Sequence, residues 1–292
     1  VTEEGYAETK KLNSELDYWQ SQFSKPISPL PKDNPKGSNS VSQTSVVTVC
    51  LDETETQALL QQVPAKYNTQ INDVLLTALI QAFAAWTKES KLLVNLEGHG
   101  REEIISGVDL SRTVGWFTTL FPVLLDLGDT VSIGDVLKSI KEQMRSIPNR
   151  GIGYGILRYL NQNLSINDRP QAEVCFNYLG QFDRVLPDAS LFSIAPESNN
   201  ATRSPLGDRS YSIDINGFIG EGKLQLNWAY SKDIYQKTTI LNLAQKAIAS
   251  LQNIITHCRS SEAGGYTPSD FPQANLSQEQ LDRFLAKIDR GK

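Results

Sequence analysis

Apolar residues along the chain recur with two periods, and the way these alternate predicts a layered α/β fold. Helical spacing comes first: Leu12, Leu16, Trp19 and Phe23 predict an amphipathic helix over residues 8–23. Pro26, Pro29, Pro31, Pro35 and Gly37 then predict an extended linker. The β-branched run over residues 44–51 predicts a strand, and Asp52 is placed to cap a helix carrying Leu59, Leu60 and Val63. Residues 72–88 are the most apolar stretch. Val74, Leu75, Leu76, Leu79, Ile80, Phe83 and Trp86 leave almost no polar face, as expected of a helix buried between layers.

Residues 92–96 read as a buried strand that delivers Glu97 at its end, beside Gly98 and Gly100. Residues 120–127, apolar on both faces, predict a central strand. Ser132 and Asp135 open a helix to about residue 146, with Val136, Leu137, Ile140 and Met144 inward. Pro148-Asn149-Arg150-Gly151-Ile152-Gly153-Tyr154-Gly155 breaks it, and a helix carrying Ile156, Leu157, Tyr159 and Leu160 follows. Over residues 173–179 a strand sends Val174, Phe176 and Tyr178 one way and Cys175 and Asn177 the other. Residues 183–208 read as loop, 211–218 and 223–230 as a hairpin, and 236–258 as a long amphipathic helix. Ser277 and Gln280 form a capping box for a last helix whose Leu281, Phe284, Leu285 and Ile288 make a docking stripe. The expectation is a mixed β-sheet with helices packed on it over residues 1–258. A connector and short docking-type helix occupy residues 259–292.

Composition narrows the function classes. With 292 residues, 39% hydrophobic and a net charge of −5, the chain can bury a substantial core. It carries no basic cluster, which argues against nucleic acid as a partner. No apolar run reaches the roughly 18 residues that span a bilayer, and no signal peptide opens the chain, so no membrane role is expected. Cys50, Cys175 and Cys258 are too few and too scattered for a disulfide framework or metal site, which points to the reducing cytoplasm. Only His99 and His257 are available as histidines, too few for the usual triads or histidine-rich metal sites.

Glu97 is the leading candidate for chemistry. Two readings fit it equally: a poorly solvated carboxylate with a raised pKa that transfers protons, or a surface glutamate paired to Arg101. His99 is either a second proton carrier or, by preference, a hydrogen-bonding member of the loop. The glycine run 151–155 lacks phosphate-loop spacing and reads as a turn where backbone packs closely, while Trp116 and Phe117 are expected in the core. Asn177 and Tyr178 line the same cleft as Glu97 only if Gly180 or a bulge re-aims one of them.

Four motifs occur in one order: Glu97-Gly98-His99-Gly100-Arg101-Glu102, residues 109–118 (DLSRTVGWFT), residues 148–155 (PNRGIGYG) and Phe176-Asn177-Tyr178-Leu179-Gly180-Gln181. Together they resemble the epimerization domains of nonribosomal peptide synthetases, within the condensation-domain superfamily. The resemblance runs from Tyr18-Trp19 to the tail at residues 267–272. It implies a chloramphenicol-acetyltransferase-like layered sandwich, one half of a two-lobed domain whose HHxxxDG motif lies in an N-terminal subdomain absent here. It further implies L-to-D conversion of a carrier-bound aminoacyl or peptidyl thioester, with Glu97 as one acid/base group and the second HHxxxDG histidine as the other. Arg101, Asn177 and Tyr178 match family positions near the site, where the resemblance implies that they orient Glu97 and line the pocket, with Tyr178 also a proton donor. No cofactor is expected to bind directly. The substrate would arrive on the phosphopantetheine arm of a peptidyl carrier domain, and the last helix would select a downstream synthetase. This chain alone is expected to be inactive. Alternatives from the same reading are half of a peptide-bond-forming condensation domain and a non-catalytic carrier-binding scaffold.

Overall fold

A computed structural model describes residues 9–24, 26–105, 107–130, 132–160, 171–182, 203–261 and 263–289. The expected loop at 183–208 lies mostly outside them. The first helix is interrupted, giving α1 (Lys10–Asn13) and α2 (Leu16–Ser21). Ser14 Oγ donates back to Lys11 O, and Glu15 turns inward to accept from Trp19 Nε1 at 3.0 Å. A buried carboxylate thus stands where one continuous amphipathic helix is expected.

The linker leads to β1 (Thr44–Cys50), then α3 (Glu53–Tyr67), whose N-terminus carries a capping box between Asp52 and Glu55. After α4 (Ile71–Thr87) come β2 (Lys91–Gly98) and β3 (Thr119–Asp126), then α5 (Ile133–Arg145) and α6 (Ile152–Tyr159). The remaining elements are β4 (Val174–Gln181), β5 (Ile213–Gly220), β6 (Lys223–Ser231), α7 (Lys237–Arg259) and α8 (Gln278–Asp289).

The six strands form one mixed sheet in the order β1-β6-β5-β4-β2-β3. The β2–β4 and β4–β5 pairs are parallel, and the others antiparallel. One sheet face is apolar: Val94, Leu96, Val174, Phe176, Ile213, Ile215, Leu226 and Trp228 are all buried. Helices α3, α4 and α7 cover it, and Phe83 of α4 stacks on Trp228 with ring centroids 6.2 Å apart. The all-round apolar α4 is therefore held between the sheet and the neighbouring helices, as its pattern predicts. The register puts Asn95, Glu97, Cys175, Asn177, Asp214 and Asn216 on the opposite face.

One expectation is reversed. β3 is an edge strand, despite being apolar on both faces. Its outer edge is blocked rather than paired. Pro122 has no N–H to offer, Gln22 Oε1 accepts from Leu124 N at 3.0 Å, and Gln143 bonds both Asp126 N (2.9 Å) and Asp126 O (2.8 Å). Glutamine side chains take the place a seventh strand would occupy.

Candidate functional site

The parallel strands β2 and β4 end side by side, and a cavity of about 660 Å³ opens beyond them. Open α/β sheets place ligands at such strand ends, where side chains from both sheet faces reach one space. Leu96, Phe121 and Phe176 supply its apolar wall; Glu97, His99, Asn177 and Tyr178 supply its polar groups. The alternation that separates Asn177 from Tyr178 therefore does not keep them apart here. Their strand also breaks register between Tyr178 and Gln181, where Gly180 takes φ 93°.

Glu97 is open to solvent on one flank. Asn177 Nδ2 donates to its Oε2 at 2.6 Å, across adjacent strands. The carboxyl is pushed above the ordinary glutamate range, chiefly by desolvation and further by the negative charge of Asp214, with the Asn177 hydrogen bond opposing. Arg101 is not its partner. The Arg101 guanidinium donates to Leu110 O at 2.5 Å and lies 4.3 Å over the Phe117 ring, and no hydrogen bond or ion pair among the described residues joins it to Glu97. That geometry removes the surface-ion-pair reading of Glu97 and the orienting role given to Arg101: Arg101 organises the loop after β2 instead. His99 accepts from Arg101 N through Nδ1 at 3.0 Å and faces Glu102 Oε1 through Nε2 at 3.1 Å. It is a loop-bonded histidine at the cavity wall. The Tyr178 hydroxyl is buried beside the same cavity. Trp116 is 92% exposed rather than in the core, and only Phe117 is partly buried, beneath Arg101.

The sequence pattern assigned several residues at the site no role there. Arg145 grips the buried Asp73 through two hydrogen bonds of 3.1 and 2.9 Å, closing one side of the cavity. Arg150 enters it from the PNRG turn, 3.8 Å from Glu102. That turn holds three successive left-handed residues: Asn149 (φ 42°), Arg150 (φ 52°) and Gly151 (φ 87°). Glu15 clamps it by accepting from Asn149 Nδ2 at 2.6 Å. A sequence pattern could not have joined these groups, because each pair is distant along the chain. Among the described residues no His, Cys, Asp or Glu cluster is arranged to hold a metal, and no helix is long and apolar enough to cross a membrane.

Helices on one face of a mixed six-stranded sheet, with a carboxylate at the parallel strand ends, define a chloramphenicol-acetyltransferase-like α/β sandwich of the condensation and epimerization type. The chain belongs to the condensation-domain family, whose model matches residues 1–277. It is 47% identical over 285 residues to a linear gramicidin synthase subunit of Brevibacillus parabrevis, covering 96% of this chain but only 6% of that protein. Surfactin synthase subunit 1 of Bacillus subtilis (strain 168) is 37% identical over 286 residues, again over 96% of this chain and 8% of the relative. Among solved structures, the epimerization domain from the third module of tyrocidine synthetase B superposes with a TM-score of 0.81 at 34% identity. That match covers 88% of this chain and 58% of the other. The condensation domain of the monacolin K polyketide synthase shares the fold, with a TM-score of 0.63 at 16% identity, over 87% of this chain and 59% of that one.

Proposed function

We propose that this chain is the base-bearing half of an epimerization domain in a nonribosomal peptide synthetase. In this reading it inverts the α-carbon of an aminoacyl or peptidyl thioester presented by a carrier domain. The observation that carries the reading is Glu97: a carboxylate with a raised pKa, held by Asn177, at the mouth of a cavity at parallel strand ends. The 34% identity to an epimerization domain, against 16% to a polyketide-synthase condensation domain, supports the same choice.

Inverting an α-carbon requires one proton to leave and another to arrive on the opposite face. A thioester acidifies that carbon, yet leaves it far above neutral pH. A base whose pKa lies closer to neutrality than an ordinary carboxylate transfers the proton more readily. Glu97 is that base, and Asn177 fixes which oxygen faces the substrate. Developing charge on the thioester oxygen needs a donor, for which the Tyr178 hydroxyl stands at the same cavity. In this reading the second proton carrier is a histidine of the HHxxxDG motif on a companion lobe. The phosphopantetheine arm belongs to the substrate, and no further cofactor enters the chemistry. The last helix serves the choice of downstream synthetase.

The test follows α-hydrogen exchange from deuterated water into a carrier-bound aminoacyl thioester, using the full-length protein. Glu97→Gln is expected to lower exchange at least ~100-fold with the fold intact. Retained exchange, or new amide bonds formed regardless of Glu97, would favour a peptide-bond-forming condensation domain.

A further inference from the structure

A second cavity, of about 470 Å³, lies on the polar face of the sheet, and Glu97 lines it as well. Across that cavity stands Asp214 on β5. The register pairs Asp214 with Cys175 and Cys175 with Asn95, so Asp214 shares a face with Glu97 from two strands away. Two strand spacings and a two-residue offset put their backbones roughly 12 Å apart, and both side chains reach into the one partly buried cavity between them, where charges are screened less than in water.

Asp214 is not an isolated charge. Arg209, 8% exposed, donates to Asp214 Oδ2 at 2.8 Å, to Ala229 O on β6 at 2.9 Å and to Thr44 Oγ1 on β1 at 3.1 Å. The guanidinium is thereby held on the side of β5 away from β4 and β2. The ion pair lies across the sheet with its negative end turned toward Glu97. Burial lifts the Asp214 carboxyl above the ordinary aspartate range, and Arg209 together with Arg203, which lines the same cavity, opposes that rise.

We propose that Asp214 is a positioning residue that acts through Glu97: its carboxylate, held by Arg209 on the cavity that both acids line, sets the pH at which Glu97 becomes a base. The inference rests on the epimerase reading for its functional meaning. The surrounding charges do not supply this effect in its place. Cys175, the thiol between the two carboxyls, is pushed up to about 12 by burial and by both of them, so it stays neutral. On the other cavity, Arg145 is committed to Asp73, while Arg150 and His99 both face Glu102. Tyr178 presents a phenol there.

The experiment reads two quantities in the full-length protein: the acid limb of the pH profile for α-hydrogen exchange, and the ¹³C-carboxyl titration of Glu97, assigned by its loss in Glu97→Gln. In Asp214→Asn both are expected to move to lower pH, by roughly half to one unit. Asp214→Glu should restore them. Because Asp214→Asn leaves Arg209 without its counter-charge, the double variant Asp214→Leu/Arg209→Met is measured in parallel and should shift the same way. A Glu97 midpoint that stays put in either folded variant overturns the inference. A midpoint that falls while exchange ignores both Glu97 and Asp214 upholds the coupling and removes the epimerase reading instead.

Discussion

At the scale of single residues, the site depends on how two neighbours pull on Glu97 in opposite directions. Asp214 raises its pKa by repulsion, and the Asn177 hydrogen bond lowers it by stabilising the charged form. The two variants should therefore have opposite signs. Asn177→Ala removes a donor 2.6 Å from the carboxylate, so the acid limb of α-hydrogen exchange should move to higher pH, with turnover near neutrality falling about tenfold. A pH–rate profile of the variant checks this, and a limb that moves to lower pH contradicts the assignment. Glu97 itself was legible in the sequence, because a carboxylate at the end of an apolar run beside glycine is unusual chemistry. Its partner Asn177 was indicated by the motif resemblance and not by spacing, which offered Arg101 instead. Arg101 is four residues away and electrostatically plausible, but the turn after Gly98 carries it to Leu110 O.

At the scale of elements, the PNRGIGYG segment shows why residue type alone does not give a glycine's role. A Cβ on Gly153 would lie 2.1 Å from Glu15 Oε2, against a carboxylate 4% exposed and already bonded to Trp19 and Asn149. Gly155, two residues on in the same helix, has nothing within 4 Å of an added Cβ. Gly153→Ala should destabilise the protein by about 2 kcal/mol through overpacking. Gly155→Ala should stabilise it by about 0.5–1 kcal/mol, since alanine loses less backbone entropy in a helix. Denaturant unfolding of the two variants measures both, and equal signs would refute the packing account. β3 teaches a related lesson. A strand apolar on both faces resembles a central one, yet Pro122 and the glutamine caps place it at the edge. Its face pattern reports what lies above and below, not what lies beside it.

At the scale of the whole molecule, the connector before α8 is fastened to the body by a buried ion pair. Lys141 of α5, 1% exposed, contacts both oxygens of Asp270 at 2.7 Å and also donates to Tyr67 O at 2.9 Å. Asp270 closes the turn by accepting from Thr267 N at 2.8 Å, and it accepts from Asn68 Nδ2 at 2.6 Å. Burial alone would raise the Asp270 carboxyl, but these donors hold it below the usual aspartate range. A folded-state value below the unfolded one means that the stabilisation is complete above about pH 4 and is lost as pH falls through the folded value. Asp270→Asn leaves a buried ammonium without its counter-charge and should cost about 3 kcal/mol at neutral pH. In acid, where the wild-type carboxyl is itself protonated, the difference should shrink. Thermal unfolding of both proteins at neutral and acidic pH tests this, and a pH-independent difference would contradict it. By itself the sequence determined the succession of helices and strands, the buried character of α4, the capping of α3 and the presence of a carboxylate at a strand end. Those properties follow from local periodicity and from caps a few residues apart. Strand order, the blocked edge of β3, the Glu15 clamp and the meeting of Glu97 with Asn177 and Asp214 were decided only by tertiary structure. They join residues far apart along the chain, and the sheet register that joins them is set by the packing of whole elements.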